Sequence, residues 1–342
     1  MANKKIRVGI RGMTGLLGHR LALAISKQED MEVSLGIVKN DRSLARLLSG
    51  NWPVVPEHVF LDEKHQAVRS VNSSQNLVHF RPADQLCLSD LCDIMVDAAA
   101  PGNREKWDER YCDFKKPVIL QSGEYPFGRL IAPPLISQGN SMIYRQGDCI
   151  LSVLSPVLAA LDDVIKVARI YVVMQYNHVL NDYTTNQRIN STYMSYDQEN
   201  QISKEIASLF REREVLLQGI SQIPGLDYYT ITFNLDTRLN VSWQDIRDRL
   251  SASPRILIAP KNLTSTYEID QFLKEEARTV GKDIPPIVVY DNFSSGSSAR
   301  IVATVYSRCI AVLPNIDAAR FLSTGGDPLE AMRLTDKYAG FN

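Results

Sequence analysis

Over the first forty residues the apolar positions follow two different periods. Residues 6–10 form a short apolar run of strand length. Gly12, Gly15 and Gly18 then mark a turn that opens a helix, whose apolar face is carried by Leu21, Leu23, Ala24 and Ile25. Residues 31–38 make a second strand-like run. Strand, glycine turn, helix and strand form a βαβ unit, which implies a right-handed crossover and a parallel sheet. Further strands are predicted at 94–97 and 117–120, with short helices between them. Residues 41–80 show no clear period, and Trp52-Pro53 and Pro56 break any helix there.

A second region begins near Ile143. Residues 167–176 and 228–235 are β-branched and tyrosine-rich, as strands are. Between them, residues 183–201 are polar and rich in Asn, Thr and Tyr, and residues 202–217 read as helix. A helix over 242–251 has Ser242 as N-cap and Asp245 at N3. The pattern continues as strand (255–259), helix (265–280), two strands (286–290 and 299–305) and a helical region over 315–338. Many strands among few helices predict a mixed or antiparallel sheet. The expected fold class is α/β: a Rossmann-type parallel-sheet domain followed by a second, α+β domain.

A chain of 342 residues has room for two such domains. Its 38 Lys and Arg against 39 Asp and Glu leave a net charge of −1, which argues against a broad nucleic-acid surface. Trp52, Trp107 and Trp243 show no stacking pattern with basic residues, so no nucleic-acid partner is expected. No run of 18 apolar residues is present, so no membrane partner is expected either. The opening residues lack the apolar stretch of a secretory signal, and a cytoplasmic protein is expected. Five scattered cysteines form no CxxC or Cys/His pair at metal spacing, so no structural metal is expected.

The glycine turn carries the first chemistry. Gly12-x-x-Gly15-x-x-Gly18 follows a strand and opens a helix, where glycines let backbone approach a pyrophosphate and the helix N-terminus offers N–H donors. Gly12, Met13, Thr14, Gly15, Leu16 and Gly18 are therefore candidate cofactor contacts; the plain alternative is a tight turn with no ligand. The second strand ends Val38-Lys39-Asn40-Asp41-Arg42. An acidic residue there would bind a ribose hydroxyl. Lys39 and Arg42 instead suit a 2′-phosphate, so NADP is favoured, with NAD possible because of Asp41. His19 follows the turn and is placed near the phosphates.

At this point the chain resembles the archaeal-type glyceraldehyde-3-phosphate dehydrogenases. The resemblance is carried by residues 8–12, 30–39, 93–98, 121–124, 253–256 and 265–266. It continues through Pro314-Asn315-Ile316-Asp317-Ala318-Ala319-Arg320, Asp327-Pro328 and Thr335-Asp336-Lys337. It covers nearly the full length, except about 178–225. It implies a Rossmann cofactor domain that takes back the C-terminal helix, giving residues 1–142 plus 312–342. It also implies an inserted catalytic domain over 143–311 and a homodimer or homotetramer. By the same resemblance Ala99 and Gly123 lie in cofactor-domain segments. Asn292 is similar to the asparagine that holds the nicotinamide carboxamide; it also reads as an ordinary turn asparagine.

The family's chemistry uses a cysteine at a helix N-terminus, where the thiolate attacks an aldehyde. Matching segment 150–158 puts Val153 at that position. Cys149 reads as a core thiol in a strand, and Ser155 before Pro156 reads as an N-cap or, less simply, a nucleophile. No histidine falls within 186–205, where the family has its base, and the arginine pair for substrate phosphate is replaced by Met174-Gln175-Tyr176-Asn177-His178. Two readings follow. The first is an NAD(P)H-dependent oxidoreductase that reduces a carbonyl or imine by direct hydride transfer. Its pocket candidates are His178, Tyr176, Asn177, Tyr183 and Tyr193, with Ser155 beside them. Its substrate is a small polar molecule without a phosphate. The second is an inactive nucleotide-binding protein with a regulatory or partner-binding role.

Overall fold

A computed structural model describes residues 4–49, 52, 54–62, 66–71, 77–82, 87–99, 105–121, 128–176, 192–225, 227–275, 286–291, 296–307 and 310–340. The chain divides into two compact units. The first comprises residues 1–131, 138–146 and 312–339; the second comprises 132–137, 147–311 and 340–342.

The first unit opens with β1 (Ile6–Arg11), α1 (Leu16–Ile25), β2 (Met31–Val38) and α2 (Asp41–Leu48). There follow β3 (His58–Leu61), β4 (Gln66–Val71), β5 (Leu77–Pro82), α3 (Leu88–Leu91), β6 (Ile94–Asp97), α4 (Glu105–Phe114), β7 (Val118–Leu120) and β8 (Arg129–Ala132). A short β9 (Leu135–Ile136) lies in the segment grouped with the second unit, and β10 (Ile143–Gln146) returns to the first. The sheet runs β5-β4-β3-β2-β1-β6-β7-β10-β8. From β3 through β7 it is parallel, as is β10 against both its neighbours. The predicted βαβ unit is present. Residues 94–96 and 118–120 are fully buried, so the central strands are apolar on both faces, as a helix-covered parallel sheet requires. Residues 41–80 do hold structure: α2 is capped by Asn40, which accepts from Ser43 N at 3.1 Å, and β3 to β5 extend the sheet. Eight residues of helix and four of strand are too short for a period to emerge.

The second unit contains α5 (Leu151–Ala160), β11 (Ile165–Tyr176), β12 (Tyr193–Met194), α6 (Tyr196–Leu209), β13 (Glu214–Pro224), β14 (Tyr228–Val241) and α7 (Trp243–Ala252). It continues with β15 (Ile256–Ile258), α8 (Thr266–Glu275), β16 (Ile287–Val289) and β17 (Gly296–Tyr306). Its seven strands order as β12-β13-β11-β14-β17-β16-β15, a mixed sheet as predicted. Along β14, Ile231, Phe233 and Leu235 are buried while Thr230, Thr232 and Asn234 are half-exposed, the alternation of a sheet covered on one face. The Ser242–Asp245 capping box is present. The helix predicted over 202–217 is corrected: it runs 196–209, and residues 214–217 begin β13, where Glu214 to Gln218 alternate in exposure as a strand does.

The final helical region is two helices, α9 (Val312–Thr324) and α10 (Pro328–Ala339), which belong to the first unit. Gly325, at φ 67°, ends the first and Pro328 starts the second. Arg320 ties both helices to the start of β2. Its Nε and Nη2 donate to the Asp30 carboxylate at 2.7 and 2.8 Å, Nη2 also donates to Gln28 at 2.8 Å, and Nη1 donates to Ala331 O at 3.1 Å and to Thr335 Oγ1. All five guanidinium N–H groups are thereby used, with the side chain buried. Asn315 and Gln121 exchange amide hydrogen bonds, fixing α9 to the end of β7. The Asn315-to-Arg320 segment is thus a docking device for the returning helices. Arg320→Met leaves Asp30, Gln28 and two α10 acceptors without their donor. It should lower unfolding stability by about 3 kcal/mol, measured as a fall in the urea midpoint.

Candidate functional site

A cavity of about 660 Å³ opens in the first unit at the carboxyl ends of β1, β2, β3 and β6. In open parallel sheets ligands bind at this edge. Its lining includes Arg11, Gly12, Thr14, Gly15, Ile37, Val38, Lys39, Arg42, Ser43, Arg46, Asp62, Ala98 and Ala99. Of the sequence candidates, Gly12, Thr14, Gly15, Lys39, Arg42 and Ala99 therefore meet at one place.

The turn is built for close backbone approach. Gly12 has φ 74°, and a Cβ there would lie 2.8 Å from Ala99 Cα. A Cβ on Gly18 would run into the Gly12 carbonyl oxygen, so only glycine lets α1 start so near the turn. Gly15 is the N-cap of α1 and donates to Gly12 O at 2.8 Å. Two candidates face elsewhere. The Met13 side chain is fully buried beneath the turn, against Gly36, and Leu16 is 71% exposed. Gly18 acts through packing and does not line the cavity. His19 lies against Trp52, with ring centroids 4.3 Å apart.

Beneath the turn lies a buried charge cluster that sequence reading missed. Arg11 Nη1 donates to Asp97 Oδ2 at 2.9 Å, and Nη2 donates to Asp62 Oδ2 at 3.2 Å. Asp97 also accepts from Tyr111 OH at 2.8 Å and from Ala99 N at 3.0 Å. Burial first, then the Asp97 charge, pushes the Tyr111 phenol well above its ordinary pKa, so it stays a donor. Two charged residues closing buried strands, Arg11 and Asp97, were the available signal.

On α2, Arg42, Ser43 and Arg46 line the cavity with Lys39, while Asp41 is exposed and absent from the lining. Arg46 is four residues beyond Arg42 and shares its helix face. Its guanidinium lies 5.4 Å from the Trp52 ring centre, so Trp52 does stack with a basic residue, contrary to the sequence reading.

In the second unit the corrections concern α5. Val153 is fully buried inside it. Ser155 and Pro156 also lie within the helix, four and five residues past its start, so Ser155 is not the N-cap. Its hydroxyl is buried and donates to Ala132 O, which removes it as a nucleophile or proton donor. The residue at the opening of α5 is Cys149. Leu151 N donates to Asp148 O and Ser152 N to Cys149 O, so Cys149 stands in the turn that leads from β10 into α5 and not in a strand. Apolar residues at 150, 151, 153 and 154 masked this start; the Asp148 turn before them was the available signal. Asp148 Oδ1 accepts from Ile150 N at 2.9 Å and from Cys149 Sγ at 3.3 Å, and Sγ lies 3.0 Å from Tyr229 OH. Asp148 is held in turn by Gln198, and its N–H donates to Glu205. Burial first, and the Asp148 charge second, raise the thiol pKa well above its ordinary value. A helix N-terminus alone would lower it.

Asn177, His178, Tyr183, Gly123 and Asn292 lie outside the described residues, and Tyr176 is placed as the last residue of β11. Tyr193 is in β12 and 46% exposed. Among the described residues no group of three His, Cys, Asp or Glu is placed to hold a metal, and no helix is long and apolar enough to cross a membrane.

Comparison with known proteins bears on this geometry. No protein-family model matches the chain. It is 23% identical over 346 residues to glyceraldehyde-3-phosphate dehydrogenase of Thermoplasma volcanium, covering 98% of each chain. It is 22% identical over 352 residues to the protein of that name from Sulfolobus acidocaldarius, covering 97% of this chain and 96% of the other. The chain is similar throughout to archaeal glyceraldehyde-3-phosphate dehydrogenases, at the low identity of a divergent relative. The solved structure of aspartate semialdehyde dehydrogenase II from Vibrio cholerae, complexed with ASA, has the same fold. Its TM-score is 0.54 at 14% identity, covering 98% of this chain and 99% of that one.

The thiol geometry makes a checkable claim. Only the thiolate is alkylated, so a raised pKa slows the reaction until the pH climbs past it. Cys149 should react with iodoacetamide at pH 8 far more slowly than the exposed Cys87 and Cys112. Asp148→Asn removes the charge that favours the neutral thiol and should speed Cys149 alkylation on the order of tenfold. Peptide mass mapping resolves the three sites.

Proposed function

We propose that the chain is an NAD(P)H-dependent oxidoreductase that reduces a small, polar, unphosphorylated carbonyl or imine, working in the cytoplasm as a homodimer or homotetramer. The observation that carries the cofactor assignment is the cavity at the glycine turn. Gly12 and Gly15 admit backbone close to a pyrophosphate, and the start of α1 offers N–H groups to it. Lys39, Arg42 and Arg46 gather three positive charges past the end of β2, where a carboxylate would favour a free ribose hydroxyl. Asp62, the acidic residue in the lining, is already paired with Arg11. These residues fit NADP better than NAD. When bound, the nicotinamide supplies hydride.

The chain's own groups then have to position the substrate and supply a proton. His178 and Tyr176, at and just beyond the end of β11, are the proposed donors, and Asn292 is the proposed partner of the carboxamide. Cys149 bears on whether the substrate is held covalently. Its thiol donates to Asp148 and is kept protonated, which supports direct hydride transfer without a covalent intermediate. A second reading, attack by Cys149, is favoured by its place at the opening of α5.

Calorimetry with NADPH and NADH is the first test, with Gly15→Asp as the control that puts a carboxylate where the phosphates would lie. NADPH should bind at micromolar concentration, more tightly than NADH, and the variant should lose it. Carbonyls and imines are then screened by absorbance at 340 nm. Activity that survives Cys149→Ala supports direct transfer, and loss with unchanged NADPH binding supports the covalent route. Binding without turnover across the screen favours an inactive, regulatory nucleotide-binding protein, and no binding of either nucleotide overturns the proposal.

A further inference from the structure

We infer that Trp52 makes Arg46 a selectivity residue, holding its guanidinium at the cavity so that a dinucleotide carrying a 2′-phosphate is preferred over one without. This rests on the nucleotide reading of the cavity given above and goes beyond it, because it assigns the preference to a stacked set of side chains outside the usual strand-end position.

Three observations carry it. Arg46 lines the cavity with Lys39, Arg42 and Ser43, yet it leaves from the last turn of α2, one helical turn past Arg42. A guanidinium on an exposed final turn has many rotamers, and ordering it costs entropy unless something holds it. Trp52 is placed to hold it, with the guanidinium carbon 5.4 Å from the ring centre, inside the range of cation–π attraction. The indole also has an aromatic neighbour. The His19 ring meets it at 4.3 Å and 66°, in an edge-to-face arrangement. A stack therefore runs from α1, which begins at the glycine turn, through Trp52 to α2.

The stack is kept at a cost. Trp52 Nε1 and His19 Nδ1 are both buried without a hydrogen-bond partner among the described residues. Burying ring nitrogens in this way is unfavourable, and such groups in folded proteins call for an explanation. Shape supplies one: rotating either ring to reach a partner would break the edge-to-face contact and release Arg46. A guanidinium within cation–π range of an indole keeps its N–H donors for phosphate oxygens, which its planar fork matches. Among the described residues, Arg46 is the lining cation for which an aromatic ring lies within cation–π range. The other role open to Arg46 is purely local, as a cation in the last turn of α2 favourable to the helix dipole. That role predicts no difference between nucleotides.

The test uses adenosine 2′,5′-bisphosphate against 5′-AMP, and NADPH against NADH, with calorimetry on the full chain. Arg46→Met should weaken the bisphosphate and NADPH on the order of tenfold or more while leaving 5′-AMP and NADH within about twofold. Arg46→Lys should recover only part of the loss. Trp52→Leu should show the same selective loss at several-fold size, and Trp52→Phe, which keeps an aromatic face, should restore most of it. In the double variant Arg46→Met/Trp52→Leu the effects should not add, because both remove one contact. Thermal unfolding of each variant checks that the fold is intact. If the wild-type chain prefers the bisphosphate but Arg46→Met leaves that preference unchanged, the inference is overturned and the cofactor reading stands. Equal weakening of all four ligands by Arg46→Met assigns it the local helix role and also overturns the inference. If no nucleotide or fragment binds the wild-type chain, the cofactor reading fails and the inference fails with it.

Discussion

The first unit is organised around one buried cation. Arg11 ends the central strand β1 and is almost wholly removed from water, which is tolerable only because two carboxylates and their hydrogen bonds surround it. Asp97 brings in the end of β6, the Ala99 N–H and, through Tyr111, helix α4; Asp62 brings in the end of β3. The carboxyl ends of three strands are thus fixed by charge at the same edge where the glycine turn needs Ala98 and Ala99 within touching distance of Gly12. The cavity floor is rigid because its charges must stay paired. Asp62, the carboxylate in the cavity lining, is held to the same guanidinium at 3.2 Å. Lys39 and, from α2, Arg42, Ser43 and Arg46 add polar side chains to the lining.

The two units build their candidate chemistry differently. In the first, every feature that a bound dinucleotide would use is built from backbone approach, helix ends and cations. In the second, the helix opening that would activate a thiol is countered by its own neighbour. The partial positive charge at a helix start amounts to about half an elementary charge. Asp148 sets a carboxylate one residue away, with Cys149 donating to it. Burial raises the thiol pKa most, and the Asp148 carboxylate, a full charge at hydrogen-bond distance, raises it further; together they outweigh the helix end.

What could be read from the sequence follows from length and burial. Strands β6 and β7 were legible because they are buried along their whole length, and β1 and β2 because apolar runs at Val8–Ile10 and Leu35–Val38 are buried. Helix α7 was legible because its capping box lies in four consecutive residues. Of the site, the glycine turn and the cations Lys39 and Arg42 were legible because their chemistry is local. Arg46, Asp62 and Arg11 were not, since each acquires its role from a fold that brings β1, β3 and α2 to one edge. Trp52 was misread for the same reason: its basic partner is six residues away in sequence, on a helix too short to show a period.

The error at α5 shows how such a segment misleads. A helix with no exposed face has no amphipathic pattern, so its start cannot be found from periodicity. Ser155-Pro156 offered a strong local capping signal and pulled the helix start about six residues too far along. The structure satisfies both residues differently. Ser155 spends its hydroxyl on the Ala132 carbonyl, and Pro156 sits past the first turn of a fully packed helix that tolerates a missing N–H. With α5 running Leu151–Ala160, residues 150–158 all pack into the core, and Cys149 lies in the turn just before the helix.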